Sequence, residues 1–459
     1  MAKQKLGRDE MMLKGNLAKI IPEMALPTII SFIISSIYNL ADTYFVSSIG
    51  TNATAAVSVN SSLDHLIMMV GSMFAVGATS YASRLLGAGD KKTANETVST
   101  AFIMAAAFGL LVLALGEIFM HPLVRLLGAT PTCEQYSVDY ATYVLLAAPF
   151  MSCSFVMNQC LRGEGNALYS MFGMGFGGIL NCFLDPIFIF RMGLGVAGAS
   201  MATAISKLVS FGILIAPYLR KKTIITLSVK YFRPIKKTMT EIISMGSSAL
   251  FRNLFNVVSA IILNNLAGRI SDSVLAGIGV CNKVMMFPFG IILGYGMGFQ
   301  PVAGYNWGAK DYKRVREGYR FANRSGVGLA VVMAGLIAIF AKPLIGVFTE
   351  TDAEMMRIGA LAIRLQCLAM PVHCWVMIVN MLANGLGKAK EAFLLATSRQ
   401  GTCFLPVVFP MALIFGAIGV ASAQAVADVV SLALAIPLRR KILRMIDETE
   451  RKALTAAGV

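Results

Sequence analysis

The chain has 459 residues, of which 56% are hydrophobic and 14% charged, with a mean hydropathy of +0.70. Soluble domains carry about 25% charged residues, so this composition excludes an ordinary soluble enzyme or binding module and points to a membrane protein. The net charge of +16 does not indicate nucleic acid, because the Lys and Arg residues lie in short loops between apolar segments rather than on one face.

Apolar segments long enough to cross a bilayer recur throughout, about twelve in all, leaving no room for a soluble domain. The N-terminal lysines are not followed by a short apolar core with a small-residue cleavage site, so no removable signal peptide is expected. The first spanning segment, from about residue 17 to 46, is unusually polar and contains Pro22, Pro27, Tyr38, Asn39 and Asp42. The second ends in Gly87-Ala88-Gly89-Asp90-Lys91-Lys92, a turn-forming basic stretch suited to the cytoplasmic face. A third and a fourth segment precede the loop Arg162-Gly163-Glu164-Gly165-Asn166. The fifth carries Asn181-Cys182-Phe183-Leu184-Asp185-Pro186 inside an otherwise apolar run. Asn181 and Asp185 are four apart and share a helix face, and Pro186 removes a backbone donor there. A carboxylate at that depth is costly unless it takes a proton, holds a cation or faces water, so the stripe reads as an ion site; the plain alternative is a carboxylate capping a broken helix. The sixth segment begins Gly198-Ala199-Ser200 and carries Thr203 and Lys207. The basic residues concentrate at the two ends and in alternate loops, which places both termini in the cytoplasm.

The second half repeats the first at an offset of 221 or 222 positions. Gly87-Ala88 with Asp90 meets Gly308-Ala309 with Asp311, Pro149 meets Pro371, and Gly163-x-Gly165 meets Gly385-x-Gly387. The expected fold is all-α, with twelve transmembrane helices in two six-helix lobes related by a pseudo-twofold along the membrane normal. The lobes are expected at 1–219 and 238–438, joined by a basic cytoplasmic linker at 220–237 and followed by a cytoplasmic tail at 439–459. The copies differ at the polar positions: Asp42 meets Leu263, Asn181 meets Thr402, Asp185 meets Pro406 and Thr203 meets Gln424. Ion chemistry is therefore expected in the first half alone.

These motifs, with Gly77-Ala78-Thr79-Ser80 and Leu161-Arg162-Gly163-Glu164-Gly165-Asn166-Ala167, resemble the multidrug and toxic compound extrusion (MATE) transporters over essentially the whole chain. Within that family the sequence looks like the DinF and MepA type. It has Arg252 and Arg364, but no embedded carboxylate, in the seventh and tenth helices. The resemblance implies two six-helix lobes and efflux of organic cations driven by inward flow of H+ or Na+. It also implies an ion-coupling site at Asp42, Asn181, Asp185 and Thr203, which would hold Na+ if sodium couples, with Tyr38 and Tyr140 in the surrounding polar network. No cofactor beyond the coupling ion is expected, and the chain is expected to act as a monomer in the cytoplasmic membrane.

Two carboxylates close together in a low-dielectric lobe repel each other, and either a proton or a sodium ion relieves that repulsion. Pro27 is a candidate hinge in helix one. Met285-Met286-Phe287 with Gln300 is a candidate adaptable substrate wall, although such methionines are commonly packing filler. His65, His121 and His373 have no metal spacing, the eight cysteines form no ligand pattern, and there is no phosphate-binding loop, so an enzyme or primary pump is not expected. A flippase for a lipid-linked precursor, using Arg252, Lys283, Arg364 and Arg399 for pyrophosphate, is the alternative, and a passive channel the third reading.

Overall fold

A computed structural model describes residues 7–348 and 352–456, and the described residues form helices joined by turns, with no strand among them. Within a bilayer every backbone amide and carbonyl needs an internal partner, which a helix supplies within its own segment. The first six spanning helices are Leu17–Ser47, Thr51–Gly87, Lys91–Ile118, Glu134–Gly163, Ala167–Pro186 and Gly195–Leu219. The next four are Lys236–Gly268, Asp272–Gly308, Tyr312–Ile339 and Ala353–Gly385. By length and hydropathy eleven segments can cross a membrane, the last of them Ala389–Thr455 with 67 residues. A helix of that length would run about 100 Å, several times the hydrocarbon thickness. The backbone leaves helical geometry at Gly416 (φ 53°, ψ −127°), which divides this segment into the eleventh and twelfth spans.

The duplication is written into the backbone as well as the sequence. Gly89 (φ 79°) and Lys310 (φ 62°) take the left-handed conformation at matching positions, as do Gly165 (φ 81°) and Gly387 (φ 74°), and Gly195 (φ 56°) and Gly416. Asp90 caps the third helix by accepting from Thr93 N at 3.0 Å, and its counterpart Asp311 caps the ninth by accepting from Arg314 N at 3.0 Å.

The helices bury apolar side chains such as Leu63, Leu145, Phe299 and Phe404 but also present apolar side chains outward. Large apolar side chains such as Leu110, Leu111, Phe172, Phe176, Leu413 and Ile414 point outward. Small and polar residues lie inside, where they let backbones approach and bond across helices. A Cβ at Gly109 of the third helix would come within 2.9 Å of Ala148 O on the fourth. Asn60 Nδ2 donates to Ser137 O at 3.0 Å, joining the second helix to the fourth.

The chain divides into two compact units, residues 1–9 with 26–246 and residues 10–25 with 247–459. The division does not fall at the connector. The first helix begins in the second unit and continues in the first, and the start of the seventh helix belongs to the first unit. Within the first unit a Cβ at Gly77 would strike the backbone of Ile242; within the second, a Cβ at Gly298 would lie 2.6 Å from Ala25 Cα. The last helix runs on to Ala456, and Arg316 of the ninth helix binds its Asp447 (2.9 Å) and Glu450 (2.7 Å).

The connector is built onto the first unit. Glu164, fully buried at the end of the fourth helix, accepts from Ile224 N (2.9 Å) and Ile225 N (3.0 Å). Asn95 Oδ1 accepts from Thr226 N at 2.8 Å, Ser99 Oγ from Ser228 N at 3.2 Å and Thr100 Oγ1 from Arg233 N at 3.2 Å. Burial outweighs those two amide bonds and raises the Glu164 carboxyl to about 8. A raised carboxyl means the docked state binds the proton more tightly than the released one, so docking is firmest at low pH and weakens as pH rises toward 8. The expected outcome is that exchange protection of the Ile224 and Ile225 amides, corrected for intrinsic rates, falls between pH 6 and pH 8. Glu164→Gln should flatten that dependence, which hydrogen–deuterium exchange on the full chain measures directly.

Candidate functional site

In the first unit, four helices bring together the polar residues that the sequence marks. Asn181 and Asp185 stack on the fifth helix, where Asn181 Nδ2 donates to Asp185 Oδ1 at 3.1 Å and to Thr203 Oγ1 of the sixth helix at 3.3 Å. Asp185 is wholly buried and Asn181 is 2% exposed. Pro186 does not break this helix. The backbone widens after it into a π-helical turn at Ile187–Arg191, closed by Met192 N donating to Ile187 O at 2.9 Å. Tyr140 of the fourth helix is buried beside Thr203 and within electrostatic range of Asp42 and Asp185. Asp42 and Asp185 lie within electrostatic range of each other. Asp42, Asn181, Asp185, Thr203 and Tyr140 therefore form one cluster.

Two charged residues join it that the sequence reading left out of the site. Asp64 of the second helix interacts with Asp42 and with Lys207. Lys207 Nζ donates to the Tyr38 hydroxyl at 3.1 Å and lies 5.2 Å from the centre of its ring. Tyr38 thus enters the cluster by holding Lys207. Its approach is permitted by Gly178, where a Cβ would come within 2.8 Å of the ring. Asp64 has a visible signal, since Asn60 and Asp64 repeat the four-residue spacing of Asn181 and Asp185. Lys207 has none beyond its lone charge in an apolar helix.

Donors are scarce in this cluster. One oxygen of each of Asp42, Asp64 and Asp185, and Asn181 Oδ1, are buried with no hydrogen-bond partner. Buried oxygens in such surroundings bind a proton, a cation or water, since leaving them bare costs about 1–3 kcal/mol each. Tyr38, Asn181, Thr203 and Lys207 line a cavity with roughly 30 Å³ open to water, room for a water molecule or a small ion. Among the described residues no three His, Cys, Asp or Glu side chains converge as a metal-binding group. A sodium site would therefore draw on the neutral oxygens of Asn181 and Thr203 as well as on carboxylates.

The other marked residues lie elsewhere. Pro27 lies inside the first helix, next to the position where that helix passes from one unit to the other, and its carbonyl accepts from Ser31 Oγ at 2.9 Å. Met286 and Gln300 belong to the eighth helix of the second unit, about 21 Å apart along its axis. Met286 is 42% exposed and Gln300 8%, so they do not converge on one spot.

The MatE family model matches this chain twice, over residues 27–187 and 248–409, reproducing the internal offset. The multidrug export protein MepA of Staphylococcus saprophyticus is 28% identical over 442 residues, which cover 94% of this chain and 95% of that protein. MepA of Staphylococcus aureus is 28% identical over 420 residues, covering 89% and 90%. Among solved structures, an outward-facing multidrug resistance MATE family transporter superposes with a TM-score of 0.91 at 23% identity, covering 97% of this chain and 100% of that one. With two copies of the family model covering most of its length, and helices built to span a bilayer, the chain belongs to the MATE family of multidrug transporters.

Proposed function

We propose that this transporter is an antiporter that exports organic cations in exchange for H+ or Na+. The observation that carries the reading is the first-unit cluster, in which Asp42 lies within electrostatic range of both Asp64 and Asp185, each of the three acids keeps an unpartnered oxygen, and Asn181 joins Asp185 to Thr203. The cluster holds three carboxylates and one resident cation, Lys207, which neighbours Asp42 and Asp64, so an entering proton or sodium ion offsets its excess of acidic groups. Each elementary charge moving inward gains about 2.3 kcal/mol per 100 mV, enough to sustain a many-fold substrate gradient. That substrates are small and varied is supported by the MepA relatives, which are named multidrug export proteins. The basic loops support an orientation with both termini in the cytoplasm, in the cytoplasmic membrane. The flippase alternative is the weaker reading, because Arg399, one of its four cations, is already engaged by Asp428 at 3.0 Å.

The direct test is uptake and release of ethidium by proteoliposomes under an imposed pH gradient and, separately, a sodium gradient. Export driven by one of them is expected, and it names the ion; no gradient-driven movement by intact protein would remove the antiport reading. Asp185→Asn should lower coupled export at least 100-fold while the protein elutes as a folded species, since the amide keeps the volume and loses the charge. Asp64→Asn should also impair coupling, and if its transport equals that of the native chain, Asp64 lies outside the ion path. Pro27→Ala restores a backbone donor and straightens the first helix. It is expected to slow turnover without weakening ethidium binding.

A further inference from the structure

The second unit buries a charged pair that the first-unit cluster does not use. Asp428 of the twelfth helix is 2% exposed and accepts from Arg399 Nε at 3.0 Å and from Gln424 Nε2 at 3.5 Å. Its other oxygen, Oδ2, is buried with no hydrogen-bond partner. Arg399 stands in the π-helical turn Ser398–Thr402, and its guanidinium lies 4.0 Å from the centre of the Phe289 ring on the eighth helix. His373 of the tenth helix meets the same ring edge-on, with centroids 5.2 Å apart. Four helices thus assemble an aromatic face, a carboxylate with a spare oxygen and a flat, delocalised cation between them.

Stability does not account for this arrangement. Taking two charges out of water is costly, and apolar replacements of such pairs are commonly neutral or stabilising. What the arrangement does reproduce is the chemistry of an organic-cation site, in which a cation lies over an aromatic face and is neutralised by a carboxylate. The pair is also asymmetric. The Arg399 side chain is 16% exposed and that of Asp428 2%, so the arginine is the member able to swing away while the carboxylate stays. The duplication points to the same place: Asp428 occupies the position of Lys207, and Gln424 that of Thr203, at the offset of 221.

We propose that Phe289 and Asp428 form a ligand site in the second unit for planar organic cations, and that Arg399 is a resident cation which the ligand displaces. The proposal rests on the cation-export reading, but its test does not, because it measures equilibrium binding in detergent with no gradient. Ethidium, a flat aromatic cation, is titrated into the purified full chain and followed by fluorescence anisotropy. Arg399→Gln removes the competitor and is expected to tighten ethidium about threefold to tenfold. Adding Asp428→Asn to that variant should abolish the gain, whereas adding Asp42→Asn should preserve it. Unchanged affinity in Arg399→Gln, or a gain that survives Asp428→Asn, would overturn the proposal. If Arg399→Gln does not elute as a folded species, Arg399→Lys takes its place. A lysine keeps the charge but stacks less well than the flat guanidinium, so a smaller gain is expected, and none would count against the site. Loss of gradient-driven export with the binding pattern intact would defeat the transport reading and leave this site standing.

Discussion

A carboxylate surrounded by apolar helices cannot be left alone, and the polar architecture of this protein follows from that constraint. Asp42, Asp64 and Asp185 are spread over three helices of one unit, and each keeps an oxygen that no protein donor reaches. Asn181 serves Asp185 and Thr203 together with its one amide nitrogen. Lys207 serves Asp42 and Asp64 from a position fixed by Tyr38. The protein supplies fewer donors than the carboxylates can accept.

The two units meet the same constraint in opposite ways. In the first, acids outnumber the resident cation and several oxygens stay bare. In the second, a single acid, Asp428, is matched by a single arginine that also rests on an aromatic face. Duplication supplied two similar scaffolds with matching turns at Gly165 and Gly387 and matching caps at Asp90 and Asp311. Substitution at a few buried positions then gave them different electrostatics.

Much of this is legible in the sequence because a membrane simplifies the code. Helical class, the number of spans and the internal offset follow from long apolar runs and repeated glycines. Asn181 and Asp185 stand out because nothing polar surrounds them. Asp64 is hidden by its neighbours: in Asn60-Ser61-Ser62-Leu63-Asp64-His65 a carboxylate looks like part of a polar helix end, although the helix continues well past it to Gly87. The partnership of Lys207 with Tyr38 is invisible for another reason. It depends on Gly178 of a third helix leaving room for a ring, a three-body fit that no spacing rule encodes. The site at Arg399 and Asp428 is similarly long-range in character, since its aromatic face comes from the eighth helix.

The exchange of helix starts bears on how the chain is made. Residues 10–25 belong with the second unit, where Met12 O accepts from Asn306, 294 positions later, and Ala25 lies against Gly298. The first unit in turn needs Ile242, from the start of the seventh helix, to cover Gly77. The first half cannot finish packing as it leaves the ribosome. The opening segment must wait, inserted but unmatched, until the eighth helix has been synthesised, and the first six helices stay incomplete until the seventh begins. Contacts so distant in sequence are slow to form and leave intermediates exposed. The assembly order of this transporter is therefore set by two short stretches that fold with the half to which they do not belong in sequence.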